Sequence, residues 1–272
     1  MLDCGRFSLD LTLPRIMGIV NVTPDSFFDG GRDAARAVEH GLRLVDEGAD
    51  LLDIGGESTR PGAEPVGVGA ELARVLPVLD GLAHCGVPLS IDTMKTEVMV
   101  EAIAAGADLI NDVRALQAPG AIEAVAAGRV GVCLMHMRNE PRTMQQAPDY
   151  VDVVAEVADF LAGRISTCVS AGVSRSRLLV DPGFGFGKTL EHNLALLRGL
   201  PHLARLGVPL LVGLSRKSML GALTGRPVGE RLPASVAAAL LAFERGARIV
   251  RVHDVAATRD ALSLWKAVRE SA

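Results

Sequence analysis

One short unit occurs three times in this chain, and it constrains the fold more than any other feature. Glu47 to Gly55 reads EGADLLDIG, Ala105 to Val113 reads AGADLINDV, and Arg245 to His253 reads RGARIVRVH. In each, a glycine closes a helix, alanine and a charged residue follow, and the chain runs into an apolar strand. The fifth residue after each glycine is polar: Asp53, Asn111 and Arg251. A sister form, GVPLSID from Gly86 and GVPLLVG from Gly207, leads into two more strands.

Apolar runs beginning at Ile16, Val130 and Leu178 bring the strands to eight, near 16–21, 51–55, 88–92, 108–112, 130–135, 177–181, 209–214 and 248–253. Helical periodicity fills the intervals at 33–47, 68–83, 95–105, 119–127, 150–171, 190–205, 230–245 and 257–270. Eight strand-helix units predict a (β/α)8 TIM barrel, a single α/β domain over 1–272, a length close to the roughly 250 residues such barrels take. A doubly wound open sheet is the alternative. With 49% apolar but only 3% aromatic residues, the core must be built from Ala, Val, Leu and Ile, as suits a buried parallel sheet.

Charge and cysteines exclude other classes. The net charge is −4 without a basic tract, which argues against a nucleic-acid surface. Cys4, Cys85, Cys133 and Cys168 are widely spaced with no Cys-x-x-Cys pair, the pattern of reduced thiols in a cytoplasmic protein. The N-terminus lacks a hydrophobic signal region, and the apolar run Ala234 to Phe243 is too short to span a bilayer.

In a barrel of this kind every strand delivers its last residue to one mouth. The strand ends are Asn21; Glu57 with Thr59 and Arg60; Asp92; Asn111 and Asp112; Met135 and His136; Asp181; Ser215, Arg216 and Lys217; and Arg251 with His253. They separate into an acceptor-rich set (Asp92, Asn111, Asp181) and a cationic set (Arg60, Lys217, Arg251, His253). The stretch RLLVDPGFGFGKT, from Arg177 to Thr189, ends a strand at Asp181 and then alternates glycines with Phe184 and Phe186, offering aromatic faces to something flat. Pro182 stands where a phosphate-binding P-loop needs glycine, and Lys188 where a dinucleotide fingerprint needs its third. Such a mouth suits a flat, donor-rich ring carrying a phosphate or diphosphate. Two long loops, 22–32 and 55–66, exceed the usual 2–6 residues and read as lids.

Eight strings in order carry a resemblance: NVTPDSF (Asn21 to Phe27), GGESTRPG (Gly55 to Gly62), SIDT (Ser90 to Thr93), IND (Ile110 to Asp112), LMHM (Leu134 to Met137), DPGFGFGK (Asp181 to Lys188), GLSRKS (Gly213 to Ser218) and VRVHDV (Val250 to Val255). The chain resembles the dihydropteroate synthases, pterin-binding enzymes of folate synthesis that sulfonamides inhibit. The resemblance implies condensation of a 7,8-dihydropterin diphosphate with p-aminobenzoate, releasing pyrophosphate and using Mg2+. By position, Asp92, Asn111, Asp181 and Lys217 would hold the ring, with Met135 packed on it. Asn21 would ligate Mg2+, and Arg251, His253, Thr59 and Arg60 would take phosphate oxygens. Phe27, Pro61, Phe186, Lys217 and Ser218 would frame the p-aminobenzoate pocket.

The chemistry then follows from charge: a cation developing on the exocyclic methylene would sit near Asp25 and Asp29, while Lys217, Arg251 and His253 act on the reacting groups. No general base is required, because the arylamine is neutral. Phe28 and Asn139 depart from the family pattern, replacing a small polar residue and a glycine. His136 reads as a structural histidine. A homodimer through the last helices, with Trp265 on an apolar stripe, is implied by resemblance only. The rival functions are a corrinoid-linked methyltetrahydrofolate methyltransferase, which lacks the two long loops and the SRK triplet, and a paralogue that binds pterin without turnover.

Overall fold

The three repeat glycines share one backbone conformation. In the computed structural model, Gly48, Gly106 and Gly246 have φ of +97°, +98° and +100°. This left-handed region is open to glycine at no steric cost, so each helix ends where the repeat places its glycine and the next strand begins three residues or fewer later. The structure describes residues 1–22, 31–59, 62–139, 143–144 and 148–270.

The chain opens with an antiparallel hairpin, β1 (Leu2–Cys4) against β2 (Phe7–Leu9). Eight parallel strands follow: β3 (Arg15–Asn21), β4 (Leu51–Gly55), β5 (Leu89–Asp92), β6 (Leu109–Asp112), β7 (Gly131–Met135), β8 (Leu178–Asp181), β9 (Leu210–Val212) and β10 (Ala247–Val252). They pair in sequence order, and β10 closes on β3 to complete the barrel, which removes the open-sheet alternative. The helices between them are α1 (Gly31–Asp46), α2 (Val68–Gly81), α3 (Thr96–Ala104), α4 (Ala121–Ala126), α5 (Val153–Ser170), α6 (Leu190–Leu203), α7 (Ser218–Thr224), α8 (Leu232–Glu244) and α9 (Val255–Glu270). Strand bounds fall within two residues of those expected from sequence, and helix bounds within three. The hairpin and α7 were not expected.

Side chains alternate along each strand, so the barrel has two apolar layers. One lies between sheet and helices and includes Ile16, Val20, Ile54, Leu89, Val132 and Val250. The other fills the barrel's floor with Met17, Leu51, Leu109, Cys133, Leu179, Leu211 and Ile249, against which the hairpin packs Leu2 and Cys4. Two residues further along four of these strands the inward series turns polar, at Asp53, Asn111, Asp181 and Arg251. The hairpin therefore plugs the N-terminal end and leaves the C-terminal end for polar groups.

Cys4, Cys85, Cys133 and Cys168 are all unpaired. Among the described residues no helix is long and apolar enough to cross a membrane. The N-terminus of α5 is held by Asp152, which accepts hydrogen bonds from Val154 N (2.9 Å) and Ala155 N (3.1 Å). Asp152→Ala is expected to cost about 1 kcal/mol of stability, read as a lower urea midpoint at unchanged m-value; an unmoved midpoint contradicts the capping role.

Candidate active site at the C-terminal mouth of the barrel

Strand register sets the mouth. Asn21 pairs with Gly55, Gly55 with Asp92 and Asp92 with Asn111, so residues from four strands stand at one level. On the far side Met135 pairs with Asp181. Gly55 lies between two of these groups: a Cβ there would make ordinary contacts, 3.6 Å from Asp92 Cβ and 3.9 Å from Asn21 Oδ1.

At the centre lies Asp53, fully buried, which joins three neighbours. Its Oδ1 accepts from Ser90 Oγ at 2.5 Å, and its Oδ2 accepts from Asn111 Nδ2 at 3.0 Å and from Arg251 Nε at 2.5 Å. Arg251 also donates Nη2 to Asp92 Oδ2 at 2.9 Å. The acceptor-rich and cationic sets meet in this network: Arg251 reaches Asp53 and Asp92, which offset the cost of burying it. Burial works against its charge, but the two carboxylates outweigh that and raise its pKa, so it stays cationic.

This network uses one carboxylate oxygen of Asp92 and the amide nitrogen of Asn111. Asp92 Oδ1 and Asn111 Oδ1 are buried without a hydrogen-bond partner. Buried acceptors are normally paired, so two of them at one level of a polar mouth mark a place prepared for donors from outside the chain. Burial pushes the Asp92 carboxyl up to about 7 despite Arg251 beside it. Asp92 does not cap α3, whose N-cap is Lys95.

Opposite, Asp181 is buried at the end of β8 and accepts from Gly183 N at 2.7 Å. Burial raises it to about 6, against the pull of that amide and of Lys217 and Lys188. The glycine-rich loop beyond is bound from within by Lys188, which donates Nζ to Gly183 O (2.9 Å) and Phe186 O (3.0 Å) and lies 3.0 Å from His136 Nδ1. Burial and Lys188 lower His136 to about 3, so its neutral ring accepts that proton, as the structural reading of this histidine expected. Gly183 has φ +71°, and a Cβ there would stand 1.9 Å from His136 O, so only glycine lets the loop lie on the end of β7. Phe184 joins the core, which leaves Phe186 half-buried with Lys217 Nζ 4.3 Å from its ring centre.

A family profile described as "Pterin binding enzyme" matches residues 17–253. The chain is 55% identical to a dihydropteroate synthase of Neisseria meningitidis serogroup B, over 98% of this chain and 96% of the relative. It is 50% identical to that of Escherichia coli K12, over 96% and 93%. The chain belongs to the dihydropteroate synthases of the pterin-binding enzyme family. Two solved dihydropteroate synthases superimpose closely. The Burkholderia cenocepacia protein, complexed with 7,8-dihydropteroate, has a TM-score of 0.92 at 56% identity, covering 99% of this chain and 96% of that one. The Yersinia pestis protein, in a sulfonamide complex, has a TM-score of 0.94 at 49% identity, covering 99% of each.

Of the residues that the sequence assigned to a dihydropteroate synthase site, the mouth brings together Asn21, Asp92, Asn111, Met135, Asp181, Phe186, Lys217 and Arg251. His253 stands at the end of β10 with Nδ1 3.0 Å from Ser215 Oγ. Thr59 is half-buried beyond β4, and Ser218 is exposed at the start of α7. Asp25, Phe27, Phe28, Asp29, Arg60 and Pro61 lie outside the described residues. Several other strand-end groups prove to be scaffolding. Lys95 bridges Glu57 and the buried Glu71, Asp112 accepts from Arg114 N (2.8 Å) and Leu116 N (2.7 Å), and Arg216 pairs with Asp254 (2.5 Å). Asn139 takes φ +62°, the left-handed conformation that asparagine tolerates in place of glycine.

Sequence reasoning missed Asp53 as a site residue although the repeat marked it. Asp53, Asn111 and Arg251 occupy the same repeat position, and the last two both donate to Asp53. Ser90 and Lys188 were missed as well, lying inside recognised strings without an assigned role.

Proposed function

We propose that this chain condenses 6-hydroxymethyl-7,8-dihydropterin diphosphate with p-aminobenzoate, giving 7,8-dihydropteroate and pyrophosphate. The reading is carried by the paired orphan acceptors, Asp92 Oδ1 and Asn111 Oδ1, facing a third acceptor in Asp181. A pterin edge presents ring N–H and amino donors, and buried carboxylate and amide oxygens are the groups that distinguish it from a ring without donors. Phe186 offers one face for the arylamine, and Lys217, held over that ring, lies between it and Asp181.

In the reaction, the C–O bond to the diphosphate breaks with its electron pair leaving on oxygen, and the arylamine nitrogen forms the C–N bond and loses a proton. Arg251 keeps Nη1 outside its bonds to Asp53 and Asp92, and this nitrogen serves the anion. Asn21 offers one amide oxygen, and among the described residues no three His, Cys, Asp or Glu side chains cluster for a metal. Such a donor set fits Mg2+ carried largely by the diphosphate and water, with Asn21 as its protein ligand. When bound, Mg2+ supplies neutralisation of the leaving group's charge. The roles of Asp25, Phe27, Asp29, Arg60, Pro61, Thr59, His253 and Ser218 rest on family likeness. Four unpaired thiols support a cytoplasmic setting. Exposed Leu241, Leu264 and Val268 on α8 and α9, near Trp265, support a homodimer through that face, which sedimentation would read as twice the chain mass.

Purified chain mixed with pterin diphosphate, Mg2+ and p-aminobenzoate is expected to release pyrophosphate in step with dihydropteroate. Pterin binding without pyrophosphate release would instead identify a non-catalytic paralogue.

Affinity for the pterin is expected to depend on pH. The ring needs ionised acceptors, and Asp92 and Asp181 take up protons near 7 and 6. Folding raises both values, so these groups favour the folded, ligand-free chain at low pH and oppose it above about 7. Pterin Kd should be flat above about pH 8, rise about tenfold per unit between about 7 and 6, and approach a hundredfold per unit below 6, where both carboxylates must lose a proton. A Kd unchanged between pH 8 and 5 would remove ionised carboxylates from ring recognition.

A further inference from the structure

A second cavity, of about 390 Å3, opens at the opposite end of the barrel, between the N-terminal hairpin and the segments leading into β7 and β8. Three arginines line it, and they differ in how their charge is met. Arg6 is neutralised by Asp108, at 2.9 and 3.1 Å. Arg177 is 9% exposed and donates Nε to Val130 O (2.8 Å) and Nη2 to Val125 O (2.5 Å). Those carbonyls satisfy hydrogen bonds without cancelling charge, and burial alone lowers its pKa. Arg129 is exposed, and its charge acts on Asp3 across the cavity. Against these two guanidinium groups stands one lining carboxylate, Asp3, which accepts from Ser8 Oγ at 2.8 Å and from Ser176. In a chain of net charge −4, this is a local positive site.

We propose that this cavity binds a phosphate-bearing small molecule, with Arg129 and Arg177 taking the phosphate oxygens and Ser174 beside them. Two cations facing one carboxylate favour a dianion over a single carboxylate ligand; Arg129 has a fork that matches two phosphate oxygens, and Arg177, with Nε and Nη2 on carbonyls, retains Nη1. The volume lies within the range of small-molecule pockets, about 300–1,000 Å3, and exceeds what bare phosphate needs. Phe7 supplies a wall for an attached organic group. The site is separate from the diphosphate position at the mouth, because Arg129 and Arg177 precede β7 and β8 whereas the mouth is built from residues at the strands' other ends.

The test is thermal denaturation and calorimetry of the full chain with inorganic phosphate, with adenosine 5′-monophosphate, and with sodium chloride at matched ionic strength. Phosphate, the monoester or both should raise Tm by a few degrees where chloride does not. Arg129→Glu should weaken that binding about tenfold or more while leaving turnover unchanged. Arg251→Ala, altered at the mouth, should keep the phosphate response. Tighter binding of the monoester would identify a phosphorylated metabolite, and equal binding free phosphate. No response in the native chain, an equal response to chloride, or a response that survives Arg129→Glu would overturn the proposal.

Discussion

Asp181→Ala is expected to weaken pterin binding by about 3–5 kcal/mol, a loss of roughly two to four orders of magnitude in affinity, with turnover falling alongside. Two costs combine. The ring's donors lose a buried acceptor whose hydrogen bonds are charge-assisted, each worth about 1.5–3 kcal/mol. Lys217 and Lys188 also lose a carboxylate that attracts them. Asp181→Asn separates the two effects, since its amide oxygen can still accept from Gly183 N, the bond that starts the glycine-rich loop. Calorimetry should rank native, Asn and Ala in falling order of affinity. An Ala variant binding within about twofold of native would place the ring away from β8.

Asp53→Ala should act first on stability, costing about 3–5 kcal/mol and lowering Tm by roughly 10 °C. Ser90 Oγ, Asn111 Nδ2 and Arg251 Nε all lose their acceptor at once, and Ser90 and Asn111 are buried away from water. Arg251 keeps Asp92, so its charge is not abandoned; it is free to swing toward that carboxylate and cover the oxygen reserved for the ligand. Pterin affinity should therefore fall even in molecules that remain folded. Asp53→Asn should show a smaller loss of stability, because an amide oxygen replaces part of the acceptor capacity. An unchanged Tm in the Ala variant would contradict Asp53 as the hub of the mouth.

The barrel was legible because its information is local. A glycine, an alanine and a charge before an apolar run announce each helix-to-strand passage, and Gly48, Gly106 and Gly246 adopt nearly one φ value in confirmation. The hairpin was not legible, since three-residue strands such as Leu2–Cys4 carry too little pattern to stand out, and its burial comes from the barrel floor instead. The site was half legible. Which residues reach the mouth followed from strand ends, but which meet there depends on register and on side chains crossing the barrel. Arg251 and Asp53 are 198 positions apart, and nothing local marks them as partners. Glu57 and Glu71 likewise read as ordinary acids until Lys95 is seen between them.

The most direct measurement is a crystal structure of this chain with the pterin diphosphate bound. Ring recognition by the orphan acceptors requires donors of the pterin edge within hydrogen-bonding distance of Asp92 Oδ1, Asn111 Oδ1 and the Asp181 carboxylate, with Arg251 still joined to Asp53. A ring seated elsewhere, or one that leaves both orphan oxygens unengaged, would contradict it.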